Sequence, residues 1–88
     1  MNDNPYRPID CGLHESFQYA VLACSELVLH WRDGSGMPHQ AQVMPLDVVT
    51  RDRAEYLVFR EKSGQTLEIR LDWIEQAVEA STGKVLVY

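Results

Sequence analysis

"EYLVFREKSGQTLEIRL", residues 55–71, decides the fold. Its first seven residues are rich in aromatic and β-branched side chains, as a strand requires. Both faces of that run are largely apolar, which suits a central strand. Lys62-Ser63-Gly64-Gln65 has hairpin-turn composition, with a glycine to supply positive φ. In "TLEIRL", Leu67, Ile69 and Leu71 face one way, and Glu68 and Arg70 the other. A period of two marks a strand with one buried face. The stretch is a β-hairpin.

The same signals extend on both sides. In "ELVLHWRDGSG", Leu27, Leu29 and Trp31 alternate with Val28, His30 and Arg32, and a turn follows at 33–36. A second strand is expected from His39 to Met44, ended by Pro45. Residues 46–54 show no clear pattern. "WIEQAVEA" and "KVLVY" are further strand candidates around Ser81-Thr82-Gly83. Upstream, Leu13, Phe17, Ala20, Val21 and Cys24 recur three or four apart, one stripe of a helix over 13–24. Asp10 precedes it, where a carboxylate suits the positive end of the helix dipole. The other face shows His14, Glu15 and Gln18, with Tyr19 and Leu22 at its margin. The expected fold is α+β: one N-terminal helix packed on a small, strongly bent, five-stranded antiparallel sheet or barrel. It forms one domain over 1–88, with residues 1–10 as an extended arm.

The 88 residues suffice for one modest core and leave little room for a deep pocket, which takes about 300 Å³ or more. Thirteen acids against eight bases give a net charge of −5. A free-standing nucleic-acid binder usually carries a basic face, so the balance favours a basic partner. The N-terminus has no signal-peptide pattern, and "YAVLAC" is too short to span a bilayer. A cytoplasmic protein with free thiols is expected.

Two cysteines and three histidines do not make a closely spaced four-ligand set, so no metal or other cofactor is expected. Cys24 sits on the apolar stripe and reads as a small core hydrophobe. Cys11 and His14 lack a third orienting group and a nucleophile turn, so no enzyme is expected. Arg51, Asp52, Arg53 and Glu55 read as a charged loop. Asp72 reads as a cap for the local turn, with pairing to Arg70 or Arg60 as the alternative. Trp31 shares a face with Leu27 and Leu29 and belongs to the core, while Trp73 is expected to be partly exposed.

"YRPIDC", the helix after it, "LVLHWRDG", "TRDRAEYLVFRE" and "LEIRLDWI" together resemble the Rho-binding antiterminators, the Rof family of small bacterial proteins. The resemblance runs from Tyr6 to Val87, and the order and spacing of the pieces carry it. It implies a helix on a bent five-stranded antiparallel barrel of the Sm-like type. It implies binding to the N-terminal RNA-binding domain of transcription termination factor Rho, which blocks RNA loading. It implies a monomer when free, with no direct nucleic-acid contact and no membrane contact. By position it points to His14, Glu15 and Gln18 on the helix and to Arg51 and Asp52 in the charged loop as partner-binding residues. Gly12, Leu13 and Gln18 stand where acids or bulkier polar residues are common in that family. The alternatives are an Sm-like module that binds RNA itself and a similar small barrel that binds another protein.

Overall fold

The computed structural model describes residues 11–87, with the side chains of 14–86. The expected arm at 1–10, Asp10 at the helix start, and the packing of Cys11 and Leu13 lie outside that description. The chain runs α1 (Cys11–Leu22), β1 (Leu27–Arg32), β2 (Pro38–Arg51), β3 (Ala54–Glu61), β4 (Thr66–Arg70), a 3-10 turn η1 (Leu71–Trp73), β5 (Ile74–Glu79) and β6 (Val85–Val87). All pairings are antiparallel, and the sheet order is β4-β3-β2-β1-β5-β6. The class is α+β, as expected. The sheet has six strands rather than five, with β4 and β6 at open edges. Gly83 at φ 76° turns the chain, so that residues 85–87 add a sixth strand beside β5.

β2 departs furthest from expectation. It continues through Pro45 to Arg51 and absorbs the segment that carries no clear pattern. Pro45 lies opposite Phe59 and Asp47 opposite Val58, so Leu46 is an extra residue with no partner. This is a β-bulge, one of the few places where a strand accepts proline. The bulge also reverses the alternation: Val43 and Pro45 face inward before it and Val48 after it. A constant period of two is therefore absent from the sequence. β2 pairs with β1 over Pro38–Val43 and with β3 over Val43–Arg51, so it is shared by both halves of the sheet.

β2 and β3 are joined by Asp52 and Arg53 alone, with Arg51 opposite Ala54. Both turn residues have positive φ, 52° and 65°. That is the geometry of a type I′ hairpin, whose twist matches that of the flanking strands. The segment expected to be a charged loop is thus two strand ends and a tight turn.

The core lies between the helix and one face of the sheet. Leu27, Leu29, Leu57, Phe59, Ile69 and Leu71 are buried there, with Leu67 packed at the margin. This is the face the alternations at 27–31 and 67–71 anticipate. Trp31 joins the core and meets Phe59 edge-on at 5.4 Å. Phe17 and Ala20 of α1 plug into the core. Truncating a buried phenylalanine costs about 3–5 kcal/mol, so Phe17 is the main anchor of the helix.

The helix ends two residues earlier than its apolar stripe suggests. Cys24 has φ 53°, its N–H donates to Val21 O at 3.2 Å, and Ser25 N–H donates to Ala20 O at 3.0 Å. These two bonds define a Schellman cap with Cys24 at the position glycine usually takes. Cys24 is exposed and is no core residue. The periodicity could not show this, because a C-terminal cap continues the sequence spacing of the helix while leaving its axis.

Asp72 is buried. Arg70 Nε donates to its Oδ1 at 3.0 Å and Nη2 to its Oδ2 at 2.7 Å. Of the two readings, the pairing with Arg70 is present, as a bidentate ion pair, the geometry that best offsets the burial of a carboxylate. The Arg70 guanidinium also lies 5.1 Å from the ring centre of the half-buried Trp73.

Candidate functional site

α1 packs mainly across β2 and meets β6, which leaves one side of the helix to solvent. That side carries Glu15, Gln18, Tyr19 and Leu22, spaced three, one and three apart, so they form one ridge. Tyr19 is 66% and Leu22 83% exposed. Among the described residues, the core does not include either side chain. Exposed apolar groups rimmed by polar ones mark interaction surfaces.

Shallow grooves flank the ridge. One, of about 390 Å³, lies toward the β5–β6 turn and is lined in part by Glu15, Tyr19, Glu79 and Lys84. The other, of about 270 Å³, lies toward the bulge of β2 and is lined by Gln18, Leu22, Asp47 and Val48. Three carboxylates against one lysine give this face a negative potential. Such a face steers basic partners toward it.

The residues singled out from sequence fall in three places. Glu15 and Gln18 stand on the ridge. His14 lies beside them but is turned inward and half-buried: its Nδ1 faces Glu55 Oε1 of β3 within hydrogen-bond reach. A carboxylate only accepts, so Nδ1 carries the proton. Asp52 is exposed in the β2–β3 turn. Arg51 goes elsewhere. Its guanidinium lies 4.3 Å from the ring centre of Tyr56 and pairs with Glu68 of β4, Nη1 to Oε2 at 3.0 Å. Tyr56 and Glu55 are neighbours in a strand and point to opposite faces. Arg51 therefore occupies the sheet face away from the helix. The pair holds the Glu68 carboxyl below its ordinary value, chiefly through the hydrogen bond from Arg51.

Tyr19 and Leu22 were legible only at the margin of the polar face. The signal was the 15-18-19-22 spacing, which repeats the helical period on the side opposite Phe17 and Ala20. Among the described residues, no three His, Cys, Asp or Glu side chains are grouped to hold a metal ion, and no helix is long and apolar enough to cross a membrane.

No model of a known protein family matches this chain, and no curated protein matches it either.

Proposed function

We propose that this chain is a protein-binding inhibitor of transcription termination factor Rho. It binds the N-terminal RNA-binding domain of Rho through the α1 ridge and blocks RNA loading. The observation that carries the reading is the ridge itself: Glu15, Gln18, Tyr19 and Leu22 exposed on one line, between grooves edged with carboxylates. An RNA-binding surface is basic and offers aromatic stacking platforms. Carboxylates can take the places meant for phosphates, and Tyr19 and Leu22 supply apolar contact among them. The sequence resemblance to the Rof family names the partner. We further read the fold as Sm-like, supported by the helix before the strands, the bulged β2 shared by two half-sheets, and η1 leading the chain from edge strand β4 to β5 beside β1. The protein acts in the cytoplasm as a monomer, with no enzymatic step and no cofactor.

One observation favours an RNA-binding module instead: Arg51 stacks on Tyr56, and Arg70, directly opposite Tyr56 in the next strand, stacks on Trp73. Both guanidiniums are already paired, with Glu68 and Asp72. A charge so compensated offers little to a phosphate, which makes this the weaker reading.

The test is retention of purified Rho on the immobilised protein, with and without RNA. Rho retained at low salt and displaced by RNA is the expected result. RNA retained without Rho would replace the reading by the second one. Retention of neither would overturn both.

A further inference from the structure

We propose that His14 is a positioning residue: its bond to Glu55 clasps the start of the helix ridge to the β2–β3 turn, so that the two present one contact surface to the basic partner. The inference rests on the Rho-binding reading. His14 is in α1, directly before Glu15. Glu55 is in β3, opposite Thr50 and three residues beyond Asp52. Forty-one residues separate the two in sequence, and both are half-buried. The clasp thus ties the helix turn that leads into Glu15 to the strand that follows Asp52. Phe17 anchors the middle of the helix, and His14, one turn before it, bonds to β3 through Glu55. The turn is itself under tension, with two residues that bear side chains at positive φ. Losing the clasp leaves the core intact and frees the first turn of the helix to move relative to Asp52. A surface ordered only on binding binds more weakly.

The test compares His14→Ala, His14→Asn and Glu55→Ala with the unaltered chain in three readouts: thermal unfolding, backbone amide shifts of residues 50–55 in the free protein, and affinity for purified Rho. Asparagine places its amide N–H near the histidine Nδ1 and has a similar helix propensity. His14→Ala and Glu55→Ala are expected to move the turn amides and to weaken Rho binding roughly three- to tenfold at temperatures where both variants are fully folded, and the double variant should add little. His14→Asn should restore most of the affinity. Unchanged affinity in His14→Ala alongside lower stability would reduce the pair to a structural brace and overturn the proposal. Equal losses in His14→Asn and His14→Ala would also overturn it, because the imidazole would then touch Rho directly. If the unaltered chain does not bind Rho, the functional reading fails by itself. The clasp is then decided by the amides: shifts at 50–55 in His14→Ala that His14→Asn reverses support it, and unmoved amides overturn it.

Discussion

Asp52 and Arg53 stand side by side in the left-handed region, at φ 52° and 65°, and close the hairpin between β2 and β3 by themselves. Aspartate tolerates that region through local hydrogen bonding, but arginine has no such compensation. The turn type prefers Asp-Gly. Arg53→Gly should therefore raise stability by about 0.5–1 kcal/mol, the relief of the side-chain clash exceeding the extra entropy of an unfolded glycine. Urea unfolding at unchanged slope measures it. A loss of stability would show that Arg53 makes a contact worth more than the strain.

The same logic applies to the helix end. Cys24 occupies the left-handed position of the Schellman cap, which glycine fills at no steric cost. Cys24→Gly should stabilise by about 0.5–1 kcal/mol, whereas Cys24→Val, branched at Cβ, should destabilise. Opposite signs for the two variants in thermal unfolding are the expected outcome. A thiol packed in the core would give losses for both.

The ridge and the plug of α1 separate binding from stability. Leu22→Ser and Glu15→Lys alter exposed positions and should leave stability within about 0.5 kcal/mol. Each should weaken Rho binding, Glu15→Lys by roughly tenfold or more, because it sets like charges together. Isothermal titration beside thermal unfolding checks both. Full affinity in both variants would remove the ridge from the contact.

Asp33 organises the β1–β2 turn. Its Oδ1 accepts from Ser35 Oγ at 2.7 Å, Ser35 N at 2.9 Å and Met37 N at 3.0 Å, and its Oδ2 lies 2.8 Å from His39 Nε2. The Ser35 hydroxyl, then His39, then the Met37 amide hold its carboxyl well below the ordinary value of 3.8. A depressed folded-state pKa contributes stability above the unfolded value, and that contribution is lost as pH falls through the folded one. The wild type should therefore lose stability relative to Asp33→Asn as pH drops below about 4. Parallel acid limbs in urea unfolding would show that Asp33 is not the group responsible.

Where the sequence kept a constant period, the fold was legible. The alternations at 27–31 and 67–71 named core residues, and the stripe through Phe17 and Ala20 named the buried face of the helix. The reading stopped at three local events. The Leu46 bulge changes the phase of β2 midway, so its two halves give opposite patterns and Pro45 resembles a terminus. The turn at 52–53 uses no glycine, so nothing in its composition distinguishes it from a loop. Cys24 continues the helical spacing but belongs to a cap. Within the candidate site, Glu15 and Gln18 were legible from the helical period. The inward turn of His14 and the far-face position of Arg51 depend on partners, Glu55 and Glu68, which only the sheet register brings near.

The sheet order has a consequence for the sequence of assembly. β1 to β4 join neighbours through successive hairpins, but β1 also pairs with β5, where Leu27 faces Glu79 roughly fifty residues along the chain. Closing so long a loop costs entropy before any contact repays it, so the meander β1–β4 is expected to form first and β5 to dock late. Trimming Leu57 within the meander should then slow folding, whereas trimming Ala77 of β5 to glycine should mainly speed unfolding. Chevron plots of the two variants distinguish them, and a slowed folding limb for Ala77→Gly would place the docking of β5 before the barrier.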